Sequence, residues 1–194
     1  MTDPTNPLIV QGDLSVLAEV ASPRFEEARS QLARFAELEK APEHIHTYRI
    51  TPLSLWNAAV AGLSSGDVAA TITDLAKYPV APSVLAEVHD QMSRYGRLRL
   101  VRDHDTAALA LTSAEPALLE EVSRDKQVAE LLGDRLDGNR FAVRAGDRGV
   151  LKQALIRLGW PAADEAGYER GARLEGAELT AELRSYQADA LAAW

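Results

Sequence analysis

The 194-residue sequence has no cysteine. That excludes disulfides, thiolate zinc sites, Cys-based redox chemistry and a cysteine nucleophile. No stretch approaches the roughly 18 apolar residues of a membrane span. The opening "MTDPTNPLIV" has neither a basic region nor the apolar run of a signal peptide. A soluble, intracellular protein without membrane partners is expected. No Gly-x-x-x-x-Gly-Lys-Ser/Thr phosphate loop, His-Glu-x-x-His zinc motif or Gly-x-Ser-x-Gly elbow is present. Of four histidines, His44 and His46 are two apart, which in a strand puts both on one face where a metal could use them. No third ligand accompanies them, and His89 and His104 stand alone. A corner where strand meets helix is the simpler role. No metal, no catalytic residue and no complete enzyme is expected within this length.

Charge is unevenly spread. The net charge is −8, from 21 Lys/Arg and 29 Asp/Glu, which argues against binding nucleic acid by bulk charge. Yet "RYGRLRLVR" carries Arg94, Arg97, Arg99 and Arg102 with no acid between them, and residues 124–157 hold eight Lys/Arg against five acids. These two basic stretches are either solvated faces or contact surfaces on an acidic body.

The pattern predicts an α+β protein. "PLIVQGDLSVLAEV" reads as two strands about a turn at Gly12-Asp13. Ser22-Pro23 opens a helix expected to run to about Glu39, with Phe25, Ala28, Leu32, Phe35 and Leu38 in helical register. "IHTYRI" is a strand, completing a small ββαβ unit over 7–50. Thr51-Pro52 signals a further helix start, and three helices follow. Trp56, Ala59, Val60 and Leu63 face inward on the first, Val68, Ile72 and Leu75 on the second. Val84, Leu85, Val88, Met92 and Tyr95 face inward on the third, which Gly96 closes. Two alternating strands, "RLRLV" and "ALALT", come next. Three helices and a hairpin over 51–112 have the order of a winged-helix-like module, a unit used for DNA contact or protein docking. A small αβ module is expected over 113–160, with a Ser113-capped helix, a hairpin on Asp137-Gly138, and a helix burying Val150, Leu151, Leu155 and Leu158. Residues 161–180, rich in Ala, Gly and charge, read as a linker.

Two stretches carry a resemblance. "APEHIHTYRITPLSLWNAAVAGL", residues 41–63, resembles the N-terminal region of XPB-type (xeroderma pigmentosum group B) DNA repair helicases, at Pro42, His44, Ile45, His46, Tyr48, Thr51, Ser54 and Leu55. "YGRLRLV" is similar to the Tyr-Gly-Lys/Arg run that follows there. At the other end, "LRSYQADALAAW" resembles the Leu-Arg-x-Tyr-Gln segment that precedes the first motor domain. The likeness covers nearly the whole chain and is closest to the bacterial, actinobacterial-looking form.

The resemblance implies an accessory region of an ATP-dependent 3′–5′ DNA repair helicase, with 113–160 in the position of a damage-recognition domain. Residues 181–194 would open a motor domain cut short after Trp194, its apolar face around Leu191 and Trp194 lacking a core. By the same match Gln187 would read the adenine of ATP, which suits an amide that donates and accepts at once, with Arg184 and Tyr186 shaping its surroundings. ATP and Mg would belong to the parent helicase; this length lacks the phosphate loop. Expected partners are DNA (duplex, forked or damaged), the missing motor domain, and a nuclease or regulatory protein. The setting would be the bacterial cytoplasm, at the nucleoid. Candidate DNA contacts are Arg94, Arg97, Arg99 and Arg102 on the hairpin, and Arg140, Arg144, Arg148 and Lys152 beyond it. Two other readings stand beside this one: a docking module of the same helicase, and a free-standing winged-helix regulator.

Overall fold

A computed structural model describes residues 3–103, 108–168, 176 and 182–193. Strands β1 (Leu8–Val10) and β2 (Ser15–Glu19) form the expected antiparallel hairpin, with Ile9 opposite Leu17. Asp13 shapes the turn by accepting from the Ser15 amide at 3.0 Å. Helix α1 (Phe25–Leu32) buries Phe25, Ala28 and Leu32 against the hairpin, and stops there. Residues 37–40, expected as its last turn, instead form strand β3 (Glu37–Lys40) on the edge of the sheet beside β4 (Ile45–Arg49). The helical spacing continues through Phe35, which is fully buried, but Leu38 is 54% exposed. Long-range bonds decide this segment. Glu39 pairs with Arg49 at 2.7 Å across the strands, and Thr51 Oγ1 donates to Glu37. A charged edge strand is also a safe one. The sheet order is β1-β2-β4-β3.

Three helices follow as expected: α2 (Pro52–Val60), α3 (Ser65–Leu75) and α4 (Pro82–Arg94). Thr51 with Ser54, and Ser64 with Asp67, form reciprocal capping boxes that satisfy otherwise orphaned amides. Val68, Ile72 and Leu75 are buried, as are Val84, Val88 and Met92. On α2 the inward residues are Leu55, Trp56 and Ala58, while Val60 faces out. Trp56 Nε1 donates to the Gln91 carbonyl at 2.8 Å, locking α2 to α4. These helices share one core with the first sheet, from Leu8 to Met92.

Strands β5 (Leu98–Arg102) and β6 (Leu109–Ser113) pair antiparallel, with part of their connection outside the described residues. After them come α5 (Pro116–Ser123), the short α6 (Lys126–Ala129) and a hairpin of β7 (Leu132–Asp137) and β8 (Arg140–Val143). Helix α7 (Arg148–Arg157) and β9 (Ala162–Asp164) follow. The second sheet has the order β7-β8-β6-β5-β9. The wing expected of β5 and β6 is therefore the interior of a five-stranded sheet, flanked by β8 and β9. Its leucines (Leu98, Leu100, Leu111) join Leu119, Leu151 and Leu155 in a second core. The helices and hairpin expected in one winged-helix-like module divide between two cores. A leucine-rich hairpin with one apolar face buries it against whichever helices follow, here α5 and α7. Within the stretch expected as a linker, β9 pairs parallel with β5. Helix α8 (Ser185–Ala193) buries none of its residues, and Leu191 is 65% exposed; Trp194 lies outside the described residues.

Trp160, packed on the second core, meets two arginines from the end of α4 and the turn after it. The Arg94 guanidinium, at the end of α4, lies 5.3 Å from the indole centroid, and Arg97 lies 4.9 Å away. Between them the chain turns at Gly96, whose φ of +83° only glycine adopts without strain.

Candidate nucleic-acid interface

Strand alternation sorts the arginines of β5 and β8. Leu98 and Leu100 point into the second core, so Arg99 points outward. The register puts Arg99 opposite Thr112 and Thr112 opposite Arg140, a polar row across three strands.

Carboxylates from elsewhere in the chain meet these cations. Glu165 takes a two-pronged bond from Arg99, and Glu115 one from Arg97. Arg140 donates to Asp137 and to buried Asp103, each at 2.7 Å. Arg94 pairs with Asp90 at 2.7 Å and Arg144 with Asp147 at 2.6 Å. Asp164 accepts from Arg148 at 2.9 and 2.5 Å and from Lys152 at 2.9 Å. Burial pushes the Asp164 carboxyl up, but the bonds from Arg148 and Lys152 outweigh it and hold the group below the usual carboxylate range. Hydrogen bonds from Arg97 likewise lower Glu115, and the carboxylate partners raise Arg97, Arg99 and Arg148. The eight candidates thus fall in three places. Arg94 and Arg97 flank Trp160. Arg99 and Arg140 lie on the outer sheet face. Arg102, Arg144 and Arg148 converge on one cleft, with Lys152 behind them on Asp164.

That cleft, about 670 Å³, lies at the end of the second sheet, lined by Arg102, Arg144 and Arg148 with Leu109, Val143 and Tyr168. The Arg144 side chain is 76% exposed, so its pair with Asp147 is a solvated one that yields easily to a better anion. Tyr168 was not among the residues nominated by sequence. It sits in the Gly- and charge-rich segment that reads as a linker, where an isolated aromatic was the one available signal.

Arg184, Tyr186 and Gln187, the residues expected to meet adenine, lie on and beside α8. Gln187 Oε1 accepts from the Arg184 amide at 3.0 Å, capping its own helix, and Arg184, Tyr186 and Gln187 are all exposed. His46 packs edge-on against Phe25 of α1 at 5.0 Å, a contact between strand and helix. Among the described residues no group of three His, Asp or Glu is arranged to hold a metal.

Comparison with known proteins gives the lineage. A family model described as "Helicase conserved C-terminal domain" matches residues 8–137, more than half of the chain. The "DNA 3'-5' helicase XPB" of Kineococcus radiotolerans is 48% identical over 193 residues, covering 98% of this chain and 34% of that protein. The protein of the same description from Mycobacterium tuberculosis is 48% identical over 171 residues, 88% of this chain and 31% of its own length. The "General transcription and DNA repair factor IIH helicase/translocase subunit XPB/SSL2" of Saccharomyces cerevisiae is 32% identical over 147 residues, 76% of this chain and 17% of its own. The chain spans about one third of the length of the bacterial relatives it matches. With both signature stretches present and a family match that covers the first sheet and reaches β7 of the second, the chain belongs to the XPB-type helicase family.

Proposed function

We propose that this chain is a non-catalytic accessory region of an ATP-dependent 3′–5′ DNA repair helicase, and that it contacts DNA through the cleft at the end of its second sheet. The observation that carries this reading is the convergence of Arg102, Arg144 and Arg148 on one concave surface. Guanidinium groups bind phosphate oxygens in planar, two-pronged fashion. The remaining candidates support the fold: Arg94 and Arg97 grip Trp160, and Arg99 and Arg140 tie strands to the acidic residues beside them. In the parent helicase ATP and Mg serve the motor, with Gln187 reading adenine once Arg184, Tyr186 and the motor surround the nucleotide. DNA in the bacterial nucleoid is the partner, forked or damaged duplex being the form expected.

Fluorescence anisotropy with forked DNA tests this. Binding should weaken steeply between about 50 and 200 mM salt. Replacing Arg102 and Arg144 together with alanine should lower affinity and reduce the salt slope by roughly one unit per lost phosphate contact. No binding at low salt would refute the reading.

A second reading has its own observation. Arg94, Arg97, Arg99, Arg140, Arg144, Arg148 and Lys152 each already have a carboxylate partner, and the net charge is −8. A surface so neutralised suits a docking module for a nuclease or regulatory subunit. Charge reversal at Arg102 separates the two: DNA binding is lost under the first reading, whereas partner binding is kept under the second.

A further inference from the structure

Tyr168 is 83% exposed. An aromatic ring left in water at the mouth of a cleft lined by arginines calls for an explanation, and its support supplies one. The guanidinium carbon of Arg148 lies 4.1 Å from the ring centroid, backing one face. That guanidinium is itself fixed. Nε and Nη2 donate to Asp164, and Nη1 donates to the Gly167 carbonyl at 2.6 Å. All three nitrogens are engaged, and the side chain is only 13% exposed. The bond to Gly167 also anchors the backbone immediately before Tyr168, where Gly167 turns with φ +67°. The ring is therefore held on a rigid support before any ligand arrives, which removes much of the ordering cost of binding.

We propose that Tyr168 is a stacking platform for a single unpaired nucleobase, and that the cleft takes a splayed or single-stranded nucleotide rather than intact duplex. This rests on the DNA-contact reading above. The chemistry is specific on two counts. A flat π surface with a cation behind it suits a planar, polarisable ring, and stacking on such platforms tolerates any base. The same cleft carries Arg102 and Arg144, which suit the phosphates on either side of that base, while Leu109 and Val143 offer apolar lining. A cleft of about 670 Å³ lies within the range of small-ligand sites. A base inside a duplex has both faces covered by its neighbours, so only an unstacked base presents what Tyr168 can use.

The test uses the full 194-residue chain with single-stranded and blunt duplex oligonucleotides of one sequence, the strand carrying 2-aminopurine as a stacking reporter. Tyr168→Ala should weaken single-strand binding by about fivefold or more and abolish the fluorescence quench, with duplex binding unchanged. Tyr168→Phe should retain both. Arg144→Ala should weaken single-strand binding as well, through the lost phosphate contact rather than through the stack. If Tyr168→Ala binds and quenches the single strand as the parent does, while Arg144→Ala weakens it, the platform is wrong and the DNA cleft stands. If the parent binds neither oligonucleotide, the DNA reading fails and the platform fails with it.

Discussion

Replacing Asp164 with asparagine probes how the second core is sealed. Its carboxylate accepts three hydrogen bonds, two from Arg148 and one from Lys152, and the exposures of Asp164 and Arg148 are 12% and 13%. Bonds to charged groups contribute about 1.5–3 kcal/mol each when well made. Lys152, one third exposed, counts for less. Asparagine keeps the shape and one acceptor oxygen but leaves two cations facing each other without a counter-charge. A cost of about 2–3 kcal/mol follows, below the roughly 3–5 of a fully buried pair because the site borders solvent. For a melting unit of about 60–100 residues, each kcal/mol moves the midpoint by about 4–8 °C. Calorimetry should show the second core melting about 8–24 °C lower while the first is unmoved. The pH dependence gives a further check. A carboxyl whose folded pKa is lowered contributes fully above its unfolded value, about 3.9, and the contribution drains away as pH falls through the lower folded value. The gap between parent and variant should be constant from about pH 5 upward and close below about pH 4. A variant melting within a degree of the parent at neutral pH, or a gap that widens on acidification, would refute the account.

Other perturbations address other parts. Thr51→Ala removes one half of the capping box on α2 and should cost about 1 kcal/mol in urea unfolding, with Thr51→Asn restoring most of it. Gly96→Ala meets no neighbouring atom, so its cost of about 1–2 kcal/mol should be purely conformational; a neutral effect would show that the backbone there relaxes freely. Ile72→Ala and Leu155→Ala each empty a fully buried site, at about 2–5 kcal/mol. Hydrogen exchange should register each loss in its own core, and equal loss of protection in both cores would contradict the division between them.

Local rules read some elements well. The β1–β2 hairpin, the capped start of α2, the inward stripe Val68, Ile72 and Leu75, and the turn at Asp137-Gly138 are all settled by neighbours within a few residues. What went unread depends on distant partners. Residues 37–40 have a helical stripe in sequence but an open edge of β4 beside them in space. Ala162–Asp164 has little strand propensity and becomes a strand because β5 offers it a parallel register. The site follows the same logic. The arginines stood out, and Asp90, Asp137 and Asp147 stand three or four residues from theirs, but other acids come from far away: Glu165 is 66 residues from Arg99, and Asp103 is 37 from Arg140. A run of basic residues in sequence was therefore a poor guide to a basic surface. Tyr168 went unnoticed because composition marks its segment as linker, and only the fold brings it onto Arg148.

The parallel strand β9 also orders events during synthesis. Everything the first core needs has left the ribosome once the chain has passed Met92. The second sheet waits longer: β5 emerges soon after, yet its outer edge stays uncovered until Ala162–Asp164 are made. A nascent chain thus carries one finished half beside a hairpin open on both edges until β8 covers β6, and on the β5 edge until β9 follows. Slow codons between β6 and β9 would lengthen that window and favour aggregation, whereas the same codons before β5 would be harmless.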